Sequence, residues 1–435
     1  MLSAENNTLL TRVGPGTPMG DLMRRYWHPI APVAELLENP IKKVRILGED
    51  LVLFRDGEGK FGLIEERCPH RGASFEFGIP QHNGIRCGYH GWHFDTQGRC
   101  LDTPMETPDC PLKNKVTAKT YPAQALGGLV FVYLGPQPAP LLPRWDLYVC
   151  PNSIRQIGLG VIPCNWLQCQ ENSFEPGHNT HLHGHYYEYV LRRQGRTDMP
   201  QRVRINTNSR YESTYHLRDY GIRVDTSMTN LATNVKTPSF IFNNLLFPCA
   251  HRRGGMFVRG EMQIKTPIDD TNTLFINYLV YTGPPGIDVA EQEVVPYFET
   301  PLWDEKGQPI LDSVQAQDAI AWVAQGPIAD RTKEHLGPSD EGILMYRQLL
   351  KRQLEIVQNG GVPMNVFTDP EQNVCLNVEP PIGTFGKFPP KFELNMGYDF
   401  GFQDAYGPAI GQLMDLLKRV DESGIMRIGG AGPGI

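Results

Sequence analysis

Four residues constrain this chain more than any others: Cys68 and His70, then, after sixteen intervening residues, Cys87 and His90. They stand in two glycine-bearing loops, CPHRG and CGYHGW, set among short β-like runs such as VRILGEDLVLF and FGLIEERC. Two thiolates and two imidazoles delivered by successive loops can hold one zinc ion tetrahedrally. They can also hold a two-iron, two-sulfide cluster with both cysteines on one iron and both histidines on the other. Zinc sites usually show tighter pairs such as C-x-x-C or H-x3–5-H, which are absent among these four residues, so the pattern favours iron.

A cluster-bearing domain needs only roughly 100 residues, and the chain has 435. Most of it must therefore do something else. Glycine-punctuated β runs extend from Val44 to GLVFVYLGP, and PQPAPLLPRWD (137–146) reads as a linker. This predicts an N-terminal helical segment (1–43), a β cluster domain (44–150) and a larger second domain (151–435). In the second domain, alternating runs from about 202 to 282 (RVRINTN, YESTYHLRD, SFIFNNLLF, TLFINYLVYTG) predict one antiparallel sheet. Helices are expected over SVQAQDAIAWVAQ, SDEGILMYRQLLKRQLEIVQ and AYGPAIGQLMDLLKRVDE.

Composition excludes several classes. Charged residues make up 20% and the net charge is −7, so there is no nucleic-acid footprint. No apolar run reaches the ~18 residues that would span a bilayer. Nine cysteines, an odd number in a long chain without a signal-like N-terminus, suggest a reducing, cytoplasmic setting rather than a disulfide framework. Two glycine-rich stretches, GPGTPMG and IGGAGPGI, lack the strand–turn–helix context of a dinucleotide site.

The densest histidine cluster is ENSFEPGHNTHLHGH, residues 171–185. Non-haem iron sites use two histidines and one carboxylate on one side of the metal, leaving positions open. On a regular helix, ligands three or four apart would be His178 with His181, or His181 with His185.

CPHRG, CGYHGWHF, NWLQCQEN…H…H and QDAIAWVAQGPIADRTKEHLG together resemble the oxygenase (alpha) component of Rieske-type non-haem iron aromatic oxygenases. The likeness is to the phthalate dioxygenase-like and aromatic O-demethylase group and covers nearly the whole chain. It implies Cys68, His70, Cys87 and His90 as ligands of a Rieske [2Fe–2S] cluster. It implies His178 and His183 as ligands of a mononuclear Fe(II), with Asp318 as the carboxylate, against Asp312 and Asp330 as competitors. A spacing of five sets side chains ~140° apart on an ideal helix, so the local backbone must depart from one, as Pro176 and Gly177 allow.

Glu175 stands where the family has an aspartate that bridges the iron site to the cluster of a neighbouring subunit. A local helix cap is the competing role for it. Asn172 is expected beside the iron. Trp92 occupies a place where respiratory Rieske proteins put a hydroxyl, and no additional loop cysteines are present.

The resemblance implies an α+β fold: an all-β Rieske domain, then a catalytic domain whose curved antiparallel sheet is wrapped by helices, a helix-grip-like arrangement. Its implied partners are O2, a separate reductase (with or without a ferredoxin) that alone uses NADH, and copies of itself in a homotrimer or hexamer. The expected substrate is a small aromatic, preferably a carboxylate held by arginine. Arg204, Arg210, Arg218, Arg223 and Arg259, with Asn243 and Asn244, are the candidates on the expected sheet. Neither nucleic acid nor membrane is expected as a partner. The rival readings are a Rieske electron carrier without its own catalytic iron and a zinc protein.

Overall fold

The computed structural model describes all residues except 198, 239–241, 257–258, 301, 379–392, 396–406, 424–426 and 430–435. Among the described residues no helix is long and apolar enough to cross a membrane.

Two four-stranded antiparallel sheets build the cluster-bearing part. One joins Ile41–Ile46, Glu49–Arg55, Phe61–Glu65 and Thr120–Tyr121; the other joins Ile79–Gln81, Gly84–Arg86, His93–Phe94 and Cys100–Asp102. Alternate residues of these strands point inward. Val52, Phe54, Ile64, Ile85 and Phe94 thereby make an apolar core that also takes in Phe75, Cys68, Cys87 and Trp92. The N-terminal segment contributes two short helices, Ala4–Thr11 and Pro18–Met23, and a strand, Trp27–Pro32. That strand pairs with Leu129–Tyr133.

The rest of the chain is organised on a nine-stranded sheet. Its path runs Ser209–Arg218, Gly221–Asn230, Phe242–Leu246, Ala250–Met256, Arg259–Pro267, Thr273–Thr282, Ser153–Ile162, Tyr297–Glu299, with Lys236–Pro238 paired to Gly221–Asn230 off this path. All pairings are antiparallel except the one between Ser153–Ile162 and Tyr297–Glu299. The central strand Arg259–Pro267 shows how the sheet divides its faces. Met262 and Ile264 enter an apolar cluster with Trp27, Phe131 and Tyr278. Gln263, on the opposite face by strand alternation, lines a polar pocket.

One expected strand is a helix. RVRINTN alternates like a strand, but Gln201–Thr207 is helical, with Pro200 at its N-cap. Val203 and Asn206 are its buried positions, a spacing of three rather than two. The other runs form strands over Ser209–Arg218, Phe242–Leu246 and Thr273–Thr282. Helices form over Val314–Val323, Glu341–Gln358 and Ile410–Glu422.

Candidate metal centres

The two cysteine–histidine loops have the same backbone. Cys68 N–H donates to the Ala73 carbonyl and Gly72 N–H to that of Cys68; Cys87 N–H donates to the Trp92 carbonyl and Gly91 N–H to that of Cys87. Gly72 and Gly91 close the turns at φ of +76° and +75°, where a side chain would be strained. Both thiols are buried and both imidazoles are half-buried, with ring centroids 4.5 Å apart. His70 stacks on Trp92 at 4.5 Å, and its Nδ1 is buried without a hydrogen-bond partner.

A buried ring nitrogen left bare is costly unless something binds it. The spacing decides what kind of group fits. Among the described residues, the only group of three or more possible ligand atoms lying within 4.8 Å of one another is elsewhere in the molecule. A tetrahedral zinc would need Cys68, His70, Cys87 and His90 that close. A two-iron cluster sets the cysteine pair apart from the histidine pair, so the donor set fits a Rieske cluster. His93 is buried on its strand, its Nε2 at 2.9 Å from the Asn83 carbonyl oxygen, and takes no part.

That other group is His178, His183 and Asp318. The segment carrying both histidines begins after helix Trp166–Glu171, a one-turn 3-10 helix over Asn172–Phe174, and Pro176. Buried Phe174 anchors it by stacking on Tyr346 at 4.7 Å. Full burial of such a ring stabilises by about 2 kcal/mol. His181–Tyr186 is then a π-helix. Its i→i+5 repeat turns residues five apart toward one another, and the rings of His178 and His183 stand 5.2 Å apart. The histidines three and four apart go elsewhere: His181 and His185 are exposed, their rings 5.5 Å from each other. Asp330 is exposed and bonded to Thr332 and Lys333, and Asp312 is outside the group.

Both inner histidines have their Nδ1 atoms committed. His183 Nδ1 donates to Gln317 Oε1 at 2.9 Å, and the Gln317 amide is held in that orientation because its nitrogen donates to the Leu311 carbonyl. His178 Nδ1 donates to the Glu175 carbonyl. The Nε2 atoms are thus left as acceptors, at 3.1 Å (His183) and 3.8 Å (His178) from Asp318 Oδ1. A ligand histidine fixed by a hydrogen bond from its other nitrogen is the usual arrangement around a metal. Burial raises the Asp318 carboxyl, but His183 and His178 outweigh it and hold it below the ordinary value. Asn172 Nδ2 approaches Asp318 Oδ1 at 3.4 Å. This is the two-histidine, one-carboxylate set of non-haem iron.

The Glu175 carboxylate turns back on its own chain. It accepts the backbone N–H groups of Gly177 and His178, the latter at 3.1 Å, and Oε2 lies 3.5 Å from His178 Nδ1. Burial raises its pKa, but His178 and these N–H groups bring it below the ordinary value.

A pocket of about 70 Å³ opens on His178, His183 and Asp318, lined also by Ser173, Arg202, Thr226, His251, Arg253 and Gln263. Of the arginines expected from the sequence, the four whose side chains are described are not among its lining. Arg204 is on the helix Gln201–Thr207, Arg210 is exposed and pairs with Glu212, Arg218 is exposed, and Arg223 is bonded to Asp225. Asn244 is bonded to the Tyr220 hydroxyl; the side chains of Arg259 and Asn243 lie outside the described residues. The two arginines of the pocket, Arg202 and Arg253, were missed. One lies on a helix read as a strand, and the other is one of two in His251-Arg252-Arg253, whose register the sequence does not reveal.

Residues 26–122 match the Rieske [2Fe-2S] domain, and residues 309–375 match the domain described as LigXa C-terminal domain like. The chain is 41% identical to the 5,5'-dehydrodivanillate O-demethylase oxygenase subunit of Sphingobium sp. over 384 residues, 86% of either chain. It is 35% identical over 367 residues to the tert-butanol monooxygenase / tert-amyl alcohol desaturase oxygenase subunit of Aquincola tertiaricarbonis (80% of this chain, 76% of that one). It is 31% identical over 400 residues to the phthalate 4,5-dioxygenase oxygenase subunit of Pseudomonas putida (83% and 88%). The terminal oxygenase of carbazole 1,9a-dioxygenase from Nocardioides aromaticivorans IC177 shares the fold, with a TM-score of 0.57 at 19% identity over 80% of this chain and 98% of that one. With a donor set that fits a cluster, a separate two-histidine, one-carboxylate group and relatives named as oxygenase subunits over most of their length, the electron-carrier and zinc readings fall away. The chain belongs to the Rieske non-haem iron oxygenases, as a terminal oxygenase component whose cofactors are a [2Fe–2S] cluster and a mononuclear iron.

Proposed function

We propose that this oxygenase acts on an aromatic carboxylate, with Cys68, His70, Cys87 and His90 holding the cluster and His178, His183 and Asp318 holding the iron. The observation that carries the substrate class is Arg202. It lines the pocket beside the three iron ligands, and among the described residues its guanidinium has no hydrogen bond or ion pair. A second guanidinium, Arg253, lines the same pocket and stands 3.7 Å from Glu261. An uncommitted guanidinium suits a carboxylate bidentately. Two of the relatives are named for acids, dehydrodivanillate and phthalate, and one for an alcohol, so the pocket's own charges favour the acid.

When bound, the cluster supplies electrons and the iron supplies the site where O2 is activated. The chain's own residues do the rest. The arginines orient the acid, Gln317 and the Glu175 carbonyl fix the histidine tautomers, and Asn172 steadies Asp318. We assign 44–150 to the cluster domain, 151–435 to the catalytic domain and 1–43 to a segment packed on the latter. Supporting this packing, Leu10, Leu22 and Met23 share a core with Trp166, Phe174 and Leu350. We further assign a cytoplasmic location, since all nine cysteines are free, and a ring-shaped homotrimer or its hexamer. In that ring Glu175 would reach a neighbour's His70 or His90 only by releasing its local N–H groups.

The test is NADH-dependent turnover with a reductase, offering 5,5'-dehydrodivanillate, phthalate and tert-butanol, with formaldehyde and diol measured separately. Turnover of an acid, with formaldehyde for a methyl ether or a diol for a bare ring, supports the reading. Turnover of the alcohol alone would overturn it.

A further inference from the structure

Behind the pocket wall formed by Ser173 and Gln263 lies Lys265, a side chain with no exposed surface. It stands on the central strand Arg259–Pro267, on the pocket-side face with Glu261 and Gln263. Its ammonium donates to Ser173 Oγ at 3.0 Å and to Gln263 Oε1 at 3.4 Å. Among the described residues no carboxylate lies within ion-pair distance of it. Its cross-strand partner is Phe275. The charged or titratable groups that bear on it are the thiols of Cys169 and Cys249, the carboxylates of Asp318 and Glu261, and the His251 ring.

Taking an ammonium out of water without an ion partner strongly favours its neutral form. Burial lowers the Lys265 pKa to about 8, although the thiols and distant carboxylates oppose the shift. The side chain therefore carries a proton at neutral pH and holds it loosely. The described titratable groups that line the pocket do not combine these properties. Arg202 and Arg253 do not release theirs. Asp318 and Glu175 are held below the ordinary carboxylate range, and burial pushes His251 well below the usual histidine value. The Nδ1 protons of His178 and His183 are committed to Glu175 and Gln317.

Oxygenation consumes protons whichever outcome applies. Insertion follows R–H + O2 + 2e⁻ + 2H⁺ → R–OH + H2O, and formation of a dihydrodiol likewise takes two electrons and two protons per O2. The electrons come from the external reductase; the protons must reach a pocket walled by protein. We propose that Lys265 is the proton-relay residue of this oxygenase, passing protons through the Ser173 hydroxyl to the oxygen being reduced in the pocket. Ser173 Oγ accepts a proton from Nζ and releases its own into the pocket. Each turnover takes one of its two protons from Nζ in this way and the other from pocket water, and the amine regains its proton through Ser173 from solvent that refills the pocket once product has left. The relay rests on the iron-ligand reading above but not on the choice of substrate.

The test uses holoenzyme of wild type, Lys265→Met, Lys265→Arg and Ser173→Ala, each checked for iron and sulfide content. One readout needs no turnover. The urea midpoint of wild type should rise relative to Lys265→Met between pH 7 and 10, because the folded lysine releases its proton at lower pH than the unfolded one. In turnover of 5,5'-dehydrodivanillate or phthalate, all three variants should lose at least tenfold in kcat with KM little changed, and their solvent isotope effect should grow. Ser173→Ala should keep the pH-dependent midpoint while losing kcat, which separates relay from packing. If wild type turns over neither acid, the substrate reading fails alone. The relay is then judged on the rate at which reduced holoenzyme delivers electrons to O2 (O2 + 2e⁻ + 2H⁺ → H2O2), which must slow in Ser173→Ala. A pH-independent midpoint difference, or wild-type rates and isotope effects in Lys265→Met and Ser173→Ala, would overturn the proposal.

Discussion

His183 Nε2 lies 3.1 Å from Asp318 Oδ1, while Gln317, one residue before Asp318, holds the other nitrogen of the same ring at 2.9 Å. One helical turn of Val314–Val323 thus supplies both the carboxylate proposed to bind iron and the group that sets the tautomer of a histidine proposed to bind it. The relationship predicts graded losses of iron. Wild type should contain about three iron and two sulfide per chain. His183→Ala or Asp318→Ala should lose one iron and keep the sulfide and the Rieske EPR signal. Gln317→Leu should keep the ligands but bind iron about 10–100-fold more weakly, measured by chelator competition. Iron retention in Asp318→Ala equal to wild type would remove Asp318 from the site.

Arg202 and Arg253 make a prediction about binding rather than chemistry. A hydrogen-bonded charge on a bound acid contributes about 1.5–3 kcal/mol, which corresponds to roughly 10–150-fold in affinity. Arg202→Met should raise KM for an aromatic acid by that factor, and the matching aldehyde or amide should lose little. Arg253→Met should act in the same direction, with an added stability cost because it removes the cation beside buried Glu261. Steady-state kinetics on paired acid and neutral substrates distinguish this from general damage.

How much of this was legible in the residues differs between the two metal sites. Cys68, His70, Cys87 and His90 belong to short loops whose geometry is local, so order and spacing alone point to the cluster. His178 and His183 were visible only through family likeness. Helical periodicity favours His181 with its neighbours, and nothing in HLHGHY announces a π-helix. The strand expected over RVRINTN failed for a related reason. Val203 and Ile205 alternate, but packing of Gln201–Thr207 against Gly184 selects the helix. Gln317, Lys265 and Arg202 had no signal of their own. A lone polar residue in a helix or strand becomes part of a site only when the sheet register and helix packing place it there.

Glu171 predicts an acid-dependent loss of stability. Buried at the end of helix Trp166–Glu171, it accepts from Arg331 at 2.7 Å and from Arg347 at 2.6 Å, and Arg347 also binds Glu334. Burial raises its pKa, but the two guanidinium groups outweigh this and leave it below the ordinary value. A depressed folded-state pKa gives stability that is present above the unfolded value of about 4.3 and is lost as pH falls through the folded one. Glu171→Gln leaves two buried cations short of a partner and should cost about 3–5 kcal/mol at pH 7. The difference from wild type should shrink as pH drops below about 4.3, read from denaturant melts. A difference that does not change with pH would mean that packing, not charge, accounts for the loss.

Gly184 links the proposed iron ligands to Arg202, the proposed substrate arginine. A Cβ there would stand 2.9 Å from the Thr207 backbone nitrogen and 3.0 Å from the Asn206 carbonyl carbon, both in the helix that begins beside Arg202. Backbone atoms cannot swing aside as a flexible side chain can, so Gly184→Ala must separate that helix from the π-helix holding His183. Displacement moves Arg202 relative to the iron, and Asn206, whose Nδ2 donates to the His183 carbonyl at 3.3 Å, moves with it. The variant should fold with a normal Rieske EPR signal, because the cluster loops lie in separate sheets. It should release its mononuclear iron faster to a chelator and show a KM for the aromatic acid raised at least as much as in Arg202→Met. A raised KM with unchanged iron release would confine the strain to the arginine side of the contact, and the reverse would confine it to the ligand side.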